Sequence, residues 1–162
     1  MLPGVKRILY ASDLQDGSRP AFRAAVSLCG HYQSHITYLH VIESPSRQAD
    51  RLAQQLMAQD PSLQALHDDS LVAVREQILA RVQDFCAAEL DIDEQLQADQ
   101  LVARVEEGRA WQEILRVADE IKASVIVMGT RHGLGLGKKL LGSTAAKVME
   151  HGARPVLIVP LL

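Results

Sequence analysis

The sequence predicts an α/β fold, a parallel sheet with helices on both of its faces. Three observations lead there. Five short apolar runs are strongly β-branched, with Ile8, Ile36, Val41, Val102, Val105, Val125, Ile126, Val156 and Ile158 among their residues. Several of the runs are near-continuous rather than alternating, the pattern of strands covered on both sides. Amphipathic helical stretches fill the gaps, and helical crossovers between successive strands imply parallel pairing with right-handed connections.

The elements follow in chain order. The first strand is read over Val5–Ala11. A helix is expected from about Ser18 to Gly30, with Ser18 as N-cap, Pro20 in the first turn, and Ala21, Ala25, Leu28 and Cys29 on one face. The second strand covers Ile36–Ile42. The stretch 44–70 reads as an extended irregular or helical segment, longer than a plain crossover needs. Within it, a helix-like piece carrying Leu52, Leu56 and Met57 is closed by Asp60 and Pro61. A second crossover helix is expected from about Leu71 to Ala88, where Leu71, Val74, Ile78, Val82 and Phe85 recur at three- and four-residue steps. The third strand is Leu101–Val105. After Gly108 comes a helix striped by Trp111, Ile114, Leu115, Ala118 and Ile121, and then the fourth strand, Val125–Met128. The last helix starts near Gly142 and Ser143 and ends at His151, with Gly152 as C-cap and Pro155 just beyond. Val156–Val159 is the closing strand. The expected organisation is one domain over residues 1–162.

Bulk properties exclude several functions. A chain of 162 residues can bury a sizeable core. Its net charge of −3 argues against nonspecific nucleic-acid binding. No apolar run approaches the roughly 20 residues of a membrane span. The first residues lack an apolar core followed by a small-residue cleavage site, so no signal peptide is expected and the cytoplasm is the expected compartment. Cys29 and Cys86 lie on apolar helix faces and read as reduced core residues rather than a disulfide framework. The six histidines show no tight ligand spacing, so no metal site is expected.

The segment from Val127 to Thr144 is the most informative. It leaves the C-terminal end of a strand and finishes at a helix start, where open parallel sheets place ligands. Gly129, Gly133, Gly135, Gly137 and Gly142 let backbone amides approach a ligand. Gly142, Ser143 and Thr144 offer hydroxyls and unpaired amides at a helix N-terminus, which favours phosphate. From Gly129 to Lys147 there are four Lys or Arg residues (Arg131, Lys138, Lys139 and Lys147) and no acidic one. A surface loop with solvated lysines has the same composition, so composition alone leaves both readings open. A Walker A loop fails at His132 and Lys139, and a dinucleotide fingerprint fails at Lys138 or Leu140.

Gly129 and Gly142-Ser143 match the separation in G-x2-G-x9-G-[ST], the pattern of the universal stress protein family, with His132 at the second glycine position and Gly133 one place later. The resemblance extends over nearly the whole chain. Ile8–Asp13 resembles the family's first strand with its terminal Asp, and Leu39–Ile42 its second strand. Val105–Gly108 through Gly129 resembles its third strand to its fourth, and Lys147–Pro160 its closing helix and strand. The resemblance implies strand order 3-2-1-4-5, so that Asp13 and Gly129 meet at the crevice where the order reverses. It further implies ATP in that crevice, with Mg2+ as an accompanying ion. Ala11 and Val41 would line the adenine and Asp13 would hydrogen-bond the ribose. Met128, Gly129, Arg131, Gly133, Gly142, Ser143 and Thr144 would complete the site, with backbone around Gly129–Gly133 and Gly142–Thr144 on the phosphates. A homodimer through Val156–Val159 is also implied.

The function expected is an ATP-binding stress-response or signalling protein with no catalytic residue and at most slow hydrolysis. Beyond Asp13 and Asp16 no acidic pair offers itself for Mg2+. The alternative is a dimeric interaction protein of the same fold that binds no ATP, for which His132 is the main support. An enzyme that activates a substrate with ATP would carry its glycine-rich loop after the first strand, where Ala11–Gly17 holds a single glycine.

Overall fold

Period-two alternation in the central strands sends side chains to two separate cores. In β1 (Arg7–Ala11), Ile8 and Tyr10 face one way and Leu9 the other, and all three are buried. The computed structural model describes residues 4–131 and 141–161. Within them β1 is followed by β2 (His35–Ile42), β3 (Leu101–Glu107), β4 (Val125–Arg131) and β5 (Val156–Leu161). All pairings are parallel and the sheet order is β3-β2-β1-β4-β5, as the resemblance implies. Ile8 is flanked by Ile36 of β2 on one side and Val125 of β4 on the other.

The helices of the described residues are α1 (Arg19–Tyr32), α2 (Arg47–Gln59), α3 (Pro61–Glu89), α4 (Ala110–Glu120) and α5 (Ser143–His151). Four of them cover the sheet and the fifth, α2, packs on α3. One core joins Ile8, Tyr10, Tyr38 and Val127 to Phe22, Ala25 and Cys29 of α1 and to Ile78, Val82 and Phe85 of α3. The opposite core joins Leu9, Leu39, Ile126 and Met128 to Ile114, Val117 and Ala118 of α4 and to Ala145 and Val148 of α5. The faces therefore switch where the strand order reverses. Tyr10, Phe22, Tyr38 and Phe85 interlock at the centre of the first core, with ring centroids 4.7 Å apart for Tyr10–Tyr38 and 4.8 Å for Phe22–Phe85. Their tilted and edge-on geometries are those that aromatic quadrupoles favour. Cys29 is buried, Cys86 is half-buried, and neither is in a disulfide. No helix among the described residues is long and apolar enough to cross a membrane.

Several boundaries differ from expectation, two of them with a clear physical reason. The helix expected to open at Leu71 begins at Pro61. Asp60 closes α2 and also caps α3, its carboxylate accepting the Ser62 amide at 2.9 Å, while Pro61 takes the first position, where its missing N–H costs nothing. β4 does not stop at Met128, because Gly129, Thr130 and Arg131 pair with Val159, Pro160 and Leu161 of a longer β5. Gly152 does close α5, but with φ −91, so no left-handed conformation requires it. Proximity does: a Cβ there would lie 2.6 Å from the Val148 carbonyl oxygen and 2.9 Å from Leu115 Cδ2.

Candidate functional site

The C-terminal ends of β1 and β4 diverge toward opposite helix layers and leave a crevice between them. Its first wall is the turn after β1. The Ser12 amide donates to Leu39 O at 2.9 Å, and its hydroxyl accepts from the Leu14 amide at 3.1 Å. Asp13 Oδ1 accepts the Gln15 amide at 3.0 Å. Between them Leu14 sits at φ 59, a left-handed conformation that disfavours a branched side chain. The two side-chain bonds hold this strained turn. Asp13 is thus a turn aspartate, and its second oxygen, Oδ2, accepts from Arg131 Nε at 3.3 Å.

The second wall is the end of β4 and the start of α5. Thr130 is buried, and its Oγ1 accepts the Gly142 amide at 3.1 Å, which ties the helix start to the strand. Gly142 is the N-cap and brings no capping side chain. The first-turn amides of Ser143, Thr144 and Ala145 therefore have no side-chain cap from it, the arrangement that attracts an anion. Among the described residues a Cβ at Gly142 would meet nothing nearer than Thr130 Oγ1, an ordinary contact at 3.6 Å. Arg131 Nη2 is buried and has no hydrogen-bond partner among the described residues.

The third wall comes from β2 and α4. His40 Nδ1 lies 2.8 Å from the Ser12 carbonyl oxygen, so Nδ1 carries the proton and the end of β2 is fastened to β1. Glu43 Oε1 accepts the Ala110 amide at 2.7 Å and caps α4. Tyr10 lies beneath, its hydroxyl donating to Ser18 O at 3.4 Å. Burial pushes the Tyr10 and Tyr38 phenols above their ordinary values, so both remain neutral donors near pH 7.

The walls enclose a cavity of about 340 Å³, within the range of small-molecule sites. Ala11, Asp13 and Val41 line it from one side, and Met128, Gly129 and Arg131 from the other. Gly142, Ser143 and Thr144 close the end. Gly133 and His132 lie outside the described residues, as do Gly135, Gly137, Lys138 and Lys139. Further lining residues escaped the sequence, among them Ser12, His40, Glu43, Ala110, Ile114 and Thr130. Thr130 could have been suspected, since it stands between Gly129 and Arg131. Nothing local points to Glu43, whose partner Ala110 is 67 positions away.

Asp16 does not join Asp13. It lines a separate cavity against α1 and α3, with Arg19, Arg81 and Asp84. Among the described residues no group of three or more His, Cys, Asp or Glu is placed to hold a metal ion. Gly129 has a role that the motif does not suggest. A Cβ there would lie 2.5 Å from Leu161 Cδ1, so the missing side chain makes room for the last residue of β5.

Fold and crevice together define a doubly wound α/β protein with a small-molecule cavity at its switch point, apolar toward β2 and basic toward β4. The sequence model of the universal stress protein family matches residues 4–160, and the chain belongs to that family. Universal stress protein YxiE of Bacillus subtilis is 29% identical over 153 residues, 94% of this chain and 97% of that protein. Universal stress protein UspA from Lactobacillus plantarum superposes with a TM-score of 0.69 at 21% identity, covering 98% of this chain and 99% of that one. A universal stress protein solved in complex with cAMP superposes with a TM-score of 0.60 at 17% identity, covering 98% of each chain. At these identities the two superpositions show the fold.

Proposed function

We propose that the protein binds ATP, or another adenine nucleotide, in this crevice and acts as a single-domain, homodimeric stress-response or signalling protein of the cytoplasm. The observation that carries the reading is the phosphate end of the cavity. There a buried guanidinium N–H without a partner among the described residues lines the same cavity as a helix N-terminus whose N-cap glycine brings no side-chain cap. Both are donors in want of an acceptor, and a phosphate chain supplies acceptors and negative charge together. The apolar end suits a planar base, walled by Ala11, Val41, Met128 and Ile114. Asp13 between the two ends suits the ribose hydroxyls. A solved relative that holds cAMP supports an adenine nucleotide as the ligand class.

Binding rather than rapid turnover is the expected activity. The two carboxylates lining the cavity, Asp13 and Glu43, each hold a backbone amide, and His40 is committed to Ser12. These bonds give the three groups structural duties in the walls, and neither carboxylate is paired with a second acid that would hold a metal ion there among the described residues. Any Mg2+ would travel on the phosphates, with Asp13 the one acid on that side of the cavity among the described residues. When bound, ATP supplies a triphosphate that gives α5 and the β4 end the partners they lack.

The assembly reading rests on the sheet edge. β5 has β4 on one side only, and Leu157 on it is 38% exposed. A bare apolar edge invites pairing, and antiparallel contact across a two-fold axis closes it.

Two experiments test these readings. Small molecules released by denaturing the freshly purified protein are identified by mass spectrometry, and ATP is titrated calorimetrically into wild type and Gly142→Val. The valine Cβ makes only an ordinary contact with Thr130 among the described residues, so the variant should stay folded, at the modest cost of a poorer N-cap, yet lose ATP binding. No released nucleotide and no binding heat at several temperatures would favour the same-fold dimer without a ligand. Sedimentation of Leu157→Arg should show monomer where wild type shows dimer.

A further inference from the structure

Resting on the nucleotide reading above, we infer that Arg131 sets the ligand class of the crevice: it withholds Asp13 from a bare nucleoside and releases it when a phosphate chain takes the guanidinium. The argument starts from what Asp13 has free. Its Oδ1 is committed to the Gln15 amide, the bond that holds the turn in which Leu14 adopts φ 59. Oδ2 is the oxygen not engaged in the turn, and Arg131 Nε is hydrogen-bonded to it and stands where a ligand hydroxyl would approach.

That contact is a poor resting place for a guanidinium. It is one-point and 3.3 Å long, whereas charge-assisted bonds usually run about 2.7–2.9 Å. On the same group Nη2 is buried and has no partner among the described residues. Other arginines of the protein are better matched. Arg104 holds Glu120 through two bonds of 2.9 Å and Glu106 through one of 2.6 Å, and Arg23 grips Glu89 at 2.7 and 2.9 Å. Arg131 is held near the carboxylate with a donor to spare.

Its backbone is anchored, because Arg131 pairs with Leu161 in the sheet, so a change of partner is a side-chain movement. Both side chains are partly open to solvent, which keeps the Asp13 pair weak enough to exchange. Phosphate oxygens reaching Nη2 would draw the guanidinium toward them, since a planar fork with two satisfied donors outcompetes one with a single long contact. Oδ2 would then accept a ribose hydroxyl. Phosphate and ribose recognition are thereby coupled through one side chain, and the coupling must be reciprocal.

The test compares adenosine, ATP and inorganic tripolyphosphate on wild type, Arg131→Gln and Arg131→Lys by calorimetry, with folding checked by thermal melting. Removing the guanidinium should weaken ATP by about 10- to 100-fold, the loss of a charged hydrogen bond. The same substitution should strengthen adenosine by about 2- to 5-fold, because Oδ2 is freed from an exposed pair. Arg131→Lys should fall between, keeping the charge without the fork. Saturating tripolyphosphate should tighten adenosine binding to wild type and leave Arg131→Gln unaffected. Effects of the same sign on ATP and adenosine, or no effect on either, would overturn the inference while leaving nucleotide binding intact. Wild type that binds neither ATP nor adenosine would overturn the nucleotide reading and this inference with it.

Discussion

Replacing Gly129 by alanine separates two explanations for a motif glycine. One is that a ligand needs the space, the other that the fold does. An added Cβ would sit 2.5 Å from Leu161 Cδ1, 2.8 Å from Cγ and 3.2 Å from Cδ2. Carbon atoms rest at about 3.5–4.0 Å, so Leu161 would have to turn away or the ends of β4 and β5 part. Overpacking of this kind costs about 1–3 kcal/mol. Leu161 is itself 5% exposed, and Leu161→Ala should cost about 2–3 kcal/mol, the low end for a buried leucine because its strand is the last and lies at the sheet edge. In the double variant the clashing atoms are gone. Its cost should equal that of Leu161→Ala alone, a coupling of about 1–3 kcal/mol between the sites. Urea unfolding at constant m-value measures all four corners, and each kcal/mol should also move the melting temperature by about 2–4 °C. Additive costs, or a Gly129→Ala variant as stable as wild type, would refute the packing explanation. Weakened ATP binding at unchanged stability would return the glycine to the ligand.

Three further outcomes follow from the same structure. Gly152→Ala should destabilise by about 1–3 kcal/mol through its clash with the Val148 carbonyl, whereas Gly30→Ala, in α1 with nothing within 4 Å of its Cβ, should stabilise by about 0.5–1 kcal/mol; urea midpoints give both signs. Phe85→Ala should cost about 3–5 kcal/mol, because it removes a buried ring that meets Phe22 edge-on, and the loss should appear in the same unfolding assay. Hydrogen bonds from Ser62 hold the Asp60 carboxyl below its ordinary 3.8, so its contribution to α3 is full above that value and is lost as pH falls through the lower folded-state value. Acid titration of the Ser62 amide by NMR should follow this loss, and Asp60→Asn should remove the pH dependence.

The strands were legible because burial on both faces forces β-branched apolar runs, as in Val125–Met128. The extension of β4 to Arg131 was not, since Gly129 and Thr130 read as loop and are strand only by virtue of their partners in β5. The start of α3 was hidden by an ambiguity in the Asp60-Pro61 signal, which stops one helix and opens the next with the same two residues. Asp13, Gly129 and Gly142 could be gathered into one crevice because the resemblance supplied the strand order. The contact between Asp13 and Arg131 could not be foreseen, since it spans 118 positions and depends on how one turn is twisted. Glu43 was missed for the same reason.

The distribution of burial along α2 and α3 gives the molecule two levels of stability. α2 has no buried residue, and in the 29 residues of α3 burial begins only at Ile78. Leu52, Leu56, Leu66 and Val72 all stay largely in water. α2 and the first half of α3 therefore stand on local hydrogen bonds, on each other and on one exposed contact from His67 to Glu107 of β3, while the sheet and the second half of α3 stand on packed cores. Amides from residue 47 to about residue 75 should exchange with solvent through small local openings, and those of β1 and β4 only when the whole chain unfolds. A protease added to the native protein should cut first within this paired-helix arm and leave the crevice intact.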